Sequence, residues 1–349
     1  METRNTLLQQ WEALKKEQPQ LRIRNAAELL KVSEAELLAT KIGDTVTLLE
    51  NKPKEILQEM EPLGKVMALT RNDSAVHERK GIYSNPKIGK SPVGLFAEED
   101  IDLRIFFSHW KYAFAVNEVA RGKERHSLQF FGGDGLAIHK IYLTPASNLD
   151  AYKELVSRYT AEDQQAKLTF SPYKDESEYV ADKEVDVAEF QKAWTKLQDT
   201  HQFFGLLTKH KLSRTQALRL APSEHYARKI EKDLVVEMIE QVADSEVPFM
   251  VFVGNRGNIQ IHTGPIKKTL WHNQWFNILD PDFNLHLDMD AITDCWVVRK
   301  PTTEGDVTAI ECFDEKGELI VQFFGKRKPG IPEMTAWREV VQGLEKNLS

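Results

Sequence analysis

The apolar positions of this chain alternate in short runs, and each run returns about 180 residues later. In DLRIFFSHW, Leu103, Ile105 and Phe107 take every second place, which puts Arg104 on the other face of an extended strand. The stretch from Leu103 to Val116 lies against Leu285 to Val298 with its apolar positions coinciding. LQFFGGDGLAIHKIYL (128–143) lies against IECFDEKGELIVQFFG (310–325), with Phe131 on Phe313, Gly135 on Gly317 and Ile138 on Ile320. MALTRNDSAVHERKG (67–81) lies against MVFVGNRGNIQIHTG (250–264), and the Met, the Asn and the closing Gly fall in step. A period of one domain length implies a duplicated unit. Where the scaffold repeats, chemistry is sought in the polar residues that differ between the halves.

Each half opens with helical signals. Asn25–Leu30 is followed by Ser33-Glu34-Ala35-Glu36, and Phe203–Lys211 by Ser213-Arg214-Thr215-Gln216; both tetrads read as capping boxes. Alternating strands follow. In the first half they are Thr45–Leu49, Val66–Thr70, Arg104–Phe107, Ala113–Asn117, His126–Phe131 and Ala137–Leu143. Gly132–Gly135 and Asp314–Gly317 read as hairpin turns. The halves close with helices at Leu149–Tyr159 and Thr335–Leu348. The polar, weakly periodic stretch Thr160–Glu184 separates them. The expected fold is α+β: an N-terminal repeat at 1–165, a linker at 166–184 and a C-terminal repeat at 185–349, each with helices and a large antiparallel sheet.

Composition narrows the function classes. With 41% hydrophobic and 28% charged residues, 349 positions suffice for two ordinary cores. No run is apolar enough to span a bilayer, and METRNTLLQQWEALKKEQ has no signal-peptide core, so a cytoplasmic protein without stable membrane insertion is expected. A net charge of −7 argues against a sequence-independent hold on nucleic acid. Cys295 and Cys312 lie on strand patterns outside any CxxC, which disfavours cysteine-held zinc and covalently attached haem.

The differences between the halves single out a few residues. In DTHQFFGLL, Asp199 or Thr200 reads as a helix N-cap, which puts His201 in the first turn with Phe204 and Gly205 at i+3 and i+4. An imidazole beside an aromatic and a bare backbone suits a planar, histidine-ligated cofactor; a histidine bonded to nearby backbone reads the same way. Its counterpart in the first half is Leu21. Arg214 replaces Glu34 in a helical first turn, against the helix dipole, so either a surface salt bridge or a bound carboxylate favours it. His77 replaces Gln260 among Asp73, Glu78, Arg79 and Lys80, a pattern that suggests a solvated loop or strand edge. Arg104 stands opposite His286. Lys326-Arg327-Lys328 and Arg299-Lys300 gather cations at strand ends, as solvated loops or as an anion site. AAELLKVSEAELLAT resembles a helix-turn-helix, but Glu34 and Glu36 carry the wrong sign for phosphate on its second helix.

Taken in order, RIRNAAELLKVSEAELLATKIGDTV, VMALTRNDSAVHE, DLRIFFSHWKYAFAV, DTHQFFGLLTKHKLSRTQALRLAP, GNRGNIQIHTGP, WFNILDPDFNLHLD and KRKPGIPE resemble the HemS/ChuS/HmuS/PhuS family of bacterial cytoplasmic haem-trafficking and haem-degrading proteins, over nearly the whole chain. The resemblance implies haem b held in a cleft between tandem repeats. It puts the axial histidine on His201, a distal arginine on Arg104 and a propionate contact on Arg214, with Arg299, Gln322 and Arg327 as further contacts and His77 as an alternative ligand. It departs from the pattern at Val321, where some members carry tyrosine, and at Asp288, where a cation is expected. The activity it implies is oxygenase-like ring opening of imported haem that releases iron, with dioxygen and an external electron donor. The alternative is a carrier delivering haem to a separate oxygenase. Partners implied are an inner-membrane haem importer and a reductase or haem oxygenase, the chain itself acting as a monomer or homodimer.

Overall fold

The structure is a computed structural model that describes residues 2–120, 122–175, 177–327 and 330–346. Lys328 of the basic stretch and Leu348 of the expected last helix lie outside the described residues. In the first half the elements run α1 (Glu2–Glu17), α2 (Ile23–Leu29), α3 (Glu34–Ala39), β1 (Val46–Leu49), α4 (Pro53–Gln58), β2 (Gly64–Arg71), β3 (Ala75–Gly81), β4 (Lys87–Ile88), β5 (Val93–Ala97), β6 (Asp102–Phe106), β7 (Tyr112–Ala120), β8 (Lys123–Phe131), β9 (Ala137–Ser147) and α5 (Leu149–Tyr159). The second half runs α6 (Val187–Trp194), α7 (Gln202–His210), α8 (Arg214–Arg219), β10 (Ala227–Ile230), α9 (Asp233–Ser245), β11 (Phe249–Gly254), β12 (Asn258–Gly264), β13 (Thr269–His272), β14 (Trp275–Leu279), β15 (Phe283–Asp288), β16 (Asp294–Thr302), β17 (Gly305–Phe313), β18 (Leu319–Gly325) and α10 (Thr335–Lys346).

From α2 and from α7 onward the two orders are the same, so the duplication is structural. The strands form two large antiparallel sheets; the run β1-β7-β8-β9-β2 in one recurs as β10-β16-β17-β18-β11 in the other. The α+β expectation holds, with one correction to the order: a strand and then a helix, β1–α4 and β10–α9, stand between the opening helices and the meander. Helix α9 was not anticipated, although Leu234, Val235, Met238, Ile239 and Val242 recur at helical spacing and are all buried. Strand β3 was hidden by Glu78-Arg79-Lys80, which interrupts the alternation.

The chain forms two compact units, and neither is continuous in sequence. One comprises 1–71, 78–174 and 254–260; the other comprises 72–77, 175–253 and 261–349. Matched asparagines fix the borrowed pieces. Asn255 accepts the N–H groups of Gly257 and Asn258 and donates to the Ile138 carbonyl at 2.8 Å. Asn72 does the same for Ser74 and Ala75 and donates to the Ile320 carbonyl at 2.8 Å. Asn72 and Asn255, like Ile138 and Ile320, are the counterparts that the sequence repeat aligns.

In the second unit β16, β17 and β18 carry side chains to both faces. Cys295, Val297, Ile310, Cys312, Val321 and Phe323 pack with α9 and α10 in one core. Val298 and Phe313, with Trp296 at the margin, pack under Phe190, Trp194, Phe203, Leu206 and Leu207 of α6 and α7 in another. The two cysteines face each other across the ladder, sulfur to sulfur at 3.5 Å and unbonded.

Candidate functional site

Helix α7 exists because Phe203, Leu206 and Leu207 bury one face against α6, with the Trp194 ring edge-on to Phe203 at 4.7 Å. That leaves the other face to solvent. His201 is the N-cap residue, one position earlier than the expected first turn, and already has helical backbone angles. Asp199 Oδ1 accepts the His201 backbone N–H at 2.7 Å and faces its ring Nδ1 at 2.7 Å. These bonds, the backbone one first, hold the Asp199 carboxyl below the usual range, and the nearby Arg327 guanidinium adds to the effect. An ionised carboxylate only accepts, so Nδ1 is the ring nitrogen that donates to Asp199, and in the neutral ring the lone pair is on Nε2. The His201 side chain is 90% exposed. Phe204 is 73% exposed, and a Cβ added to Gly205 would meet nothing within 4 Å. An unshielded imidazole, an exposed aromatic and a bare backbone therefore share one helix face.

Beneath α7 lies a charged cluster that the sequence revealed only in part. Glu311 on β17 is fully buried. Its Oε2 accepts from Arg214 Nε at 2.6 Å, and its Oε1 from Arg214 Nη2 at 2.7 Å, Lys300 Nζ at 2.9 Å and Gln322 Nε2 at 3.0 Å. Arg214 enters from the first turn of α8, where Ser213 and Gln216 complete a capping box. The guanidinium and the Lys300 ammonium both lie over the Phe203 ring, at 5.6 and 4.8 Å. Burial pushes the Glu311 carboxyl up, but Arg214 and Lys300 outweigh it and hold the group well below the usual carboxylate range. Burial lowers Lys300 to about 8 even with Glu311 beside it. The carboxylate facing Arg214 is thus the protein's own, and the pair is buried rather than at the surface.

Arg299 sits one residue from Lys300 and so points to the other face of β16. There it forms a two-pronged pair with Glu345 of α10 at 3.0 and 2.6 Å and donates to the His225 carbonyl. Two cavities of about 340 Å³ that share His225 and Arg299 open beside α10, and neither is lined by His201 or Arg214. The structure therefore brings His201, Arg214, Gln322 and Arg327 to the α7–α8 side of this unit and leaves Arg299 apart. Glu311 and Lys300 belong to the cluster, Lys300 having stood out only as part of a basic pair. Charged positions on the Trp296–Val298–Lys300 and Ala309–Glu311–Phe313 faces were the available signal, since those faces are otherwise apolar.

His77 is not in a solvated loop. It lies fully buried on β3, its ring 5.0 Å from that of Phe283, which also stacks on His262 at 3.7 Å. Arg104 alternates on β6 as expected, with Leu103 and Ile105 buried behind it. Its Nη1 pairs with Asp102 and donates to the Phe96 carbonyl at 3.3 Å. The helix-turn-helix-like pair α2–α3 turns its second helix inward, with Glu34, Leu37 and Leu38 buried. No helix among the described residues is long and apolar enough to cross a membrane.

Known proteins share the duplicated fold. A family described as the haemin-degrading HemS.ChuX domain matches twice, at residues 31–159 and 211–344. The hemin transport protein HmuS of Yersinia pestis is 35% identical over 97% of this chain and 97% of its own length. Holo-PhuS, a heme-binding protein from Pseudomonas aeruginosa, superposes with a TM-score of 0.95 at 44% identity, covering 98% of this chain and 99% of its own. The heme degrading enzyme ChuS of Escherichia coli O157:H7 superposes with a TM-score of 0.91 at 32% identity, covering 98% and 99%.

Proposed function

The chain belongs to the haem-binding HemS/HmuS family, and from that premise we propose that it binds haem through His201 and opens the porphyrin ring, drawing on dioxygen and an external electron donor. The observation that carries the proposal is the His201 ring itself. Asp199 occupies Nδ1 at 2.7 Å, so the exposed Nε2 is the nitrogen offered to iron, as in carboxylate-oriented histidine ligands generally. Phe204 and the bare Gly205 backbone supply a flat apolar seat for the macrocycle.

Charge supports the same ligand. Arg214, Lys300 and Glu311 leave one positive charge over, and a propionate carboxylate is the complement. Arg327, close enough to act on Asp199, adds a cation on the His201 side. The role of Arg104, hydrogen bonding on the oxygen side of the haem, is carried by the resemblance. What the first unit supplies is a guanidinium fixed by Asp102 and a backbone carbonyl, with five N–H donors in a rigid fork. An inner-membrane importer as donor, a reductase as electron source and a cytoplasmic location complete the proposal.

The names of the relatives favour a second reading, carriage of haem to a separate oxygenase, because HmuS is called a transport protein and PhuS a heme-binding one. Single-turnover decay of the loaded protein separates the two. With reductant and catalase present, so that free peroxide cannot bleach the haem, an enzyme gives a biliverdin-type spectrum and releases carbon monoxide and iron. An unchanged haem spectrum with every donor tried favours the carrier.

A further inference from the structure

The two halves carry the same buried charges in reversed positions. In the first unit the acid is on the helix: Glu34, at the first turn of α3, pairs with Lys140 of β9 and Arg71 of β2. In the second unit the guanidinium is on the helix and the acid on the sheet. Arg214 is the sequence counterpart of Glu34, Gln322 of Lys140, and Glu311 of Gln129. Each cluster sets a single carboxylate among cations: Lys140, Arg71 and Arg24 act on Glu34, and Arg214 and Lys300 on Glu311. The reversal changes what they present. Glu34 is 4% exposed and accepts only, whereas the Arg214 side chain is 24% exposed. Glu311 takes Nε and Nη2 of that guanidinium, and Nη1 has no protein partner among the described residues.

We infer that Glu311 is a positioning residue which, from the floor of the cluster, turns Arg214, Lys300 and Gln322 into a receptor for a carboxylate group. Resting on the haem reading above, it assigns the carboxylate to a propionate. A guanidinium gripped along one edge keeps its other edge in a fixed plane, which is the geometry a carboxylate requires. Two buried cations without an acid would repel one another and lose hydrogen-bond acceptors. Glu311 removes that penalty while leaving one positive charge unmatched in a water-poor place, so an arriving carboxylate completes the cluster rather than competing for it. Glu311 does not touch the ligand in this arrangement, because Arg214, Lys300 and Gln322 already fill its oxygens. In the reversed cluster of the first unit the helix supplies the carboxylate, Glu34, and the cations Lys140 and Arg71 come from the sheet.

The experiment compares haemin with haemin dimethyl ester, which keeps the iron and the ring but has no carboxylates, on the full chain in one buffer. Wild type is expected to prefer the free acid by about 10-fold, the worth of one charge-assisted hydrogen bond. Glu311→Gln is expected to bind the ester as wild type does, with the same Soret band, while the preference for the acid falls to within about 2-fold, as in Arg214→Ala. Glu311→Asp, which keeps the charge on a shorter arm, is expected to recover part of the preference. If Glu311→Gln does not fold, Glu311→Gln with Lys300→Gln removes one charge of each sign, and the same ratio is read. An unchanged or larger preference for the acid in the variant that folds overturns the inference. Failure of wild type to bind either porphyrin overturns the haem reading itself, and this inference with it.

Discussion

Lowering the pH tests the interior of the first unit through a single group, His139. Its ring is buried, with Nε2 at 2.6 Å from the Tyr83 hydroxyl and Nδ1 at 2.9 Å from Thr70 Oγ1. Thr70 in turn donates to Gln260 Oε1 at 2.8 Å and accepts from Asn258 Nδ2 at 2.7 Å. Since the Thr70 proton goes to Gln260, Nδ1 of His139 is a donor and Nε2 accepts from Tyr83. Burial lowers the His139 pKa to about 3, and a bond to the Leu69 carbonyl only partly offsets it. The histidine is neutral in the native protein, whereas in the unfolded chain it protonates below about 6.5. The unfolded state therefore binds the extra proton, and stability falls as pH drops from about 6.5 toward 3. At pH 4.5 the unfolded histidine is about 100:1 protonated and the native one almost wholly neutral, a loss of about 3 kcal/mol relative to pH 7.5. Urea unfolding at a series of pH values measures it. His139→Gln is expected to be less stable at pH 7.5 by about 1–3 kcal/mol, through its lost hydrogen bonds. It should then lose about 3 kcal/mol less than wild type on going to pH 4.5. Parallel pH profiles for the two proteins would refute a neutral buried His139.

Three further outcomes are expected. Arg104→Ala should load haem nearly as wild type does but slow reductant-driven ring opening by roughly 10- to 1000-fold, and equal single-turnover rates would remove Arg104 from the chemistry. Asp199→Asn should weaken haem binding by about 10-fold and lower the iron–histidine stretching frequency in the ferrous resonance Raman spectrum; an unchanged frequency would show that Asp199 does not orient the ring. Residues 185–349 expressed alone lack the 72–77 segment, with the Asn72–Ile320 bond and the core residue Ala75. They should melt without cooperativity by circular dichroism, and a sharp transition would contradict the composition of that unit.

The duplication was legible because strand alternation and turn glycines survive divergence. Gly135 and Gly317 both have φ near +77° (76° and 78°) in matching hairpins, and only the repeat made the second as certain as the first. His201 was legible as a difference between halves. Its orientation was not, because the Asp199 contact depends on a turn that puts carboxylate, backbone N–H and ring on one side. Glu311 stayed hidden for a different reason: IECF reads as a strand, and nothing local says that its glutamate meets an arginine 97 residues earlier in the chain. The Arg299 reading shows how sensitive strands are to register, since its neighbour Lys300 points the other way to Glu311. His77 misled because its charged neighbours are accommodated along a strand whose alternate side chains face inward.

The central claim is that His201 is the residue that binds haem iron, and titration of the protein with haemin, followed at the Soret band, tests it most directly. His225 pairs with Asp306 at 2.9 Å and His272 lies on the exposed strand β13, so both serve as controls. Wild type, His225→Ala and His272→Ala are expected to give the same band and to saturate at about one haem per chain, with His201→Ala shifted in wavelength and weaker in affinity. A His201→Ala protein with the wild-type spectrum and affinity would contradict it.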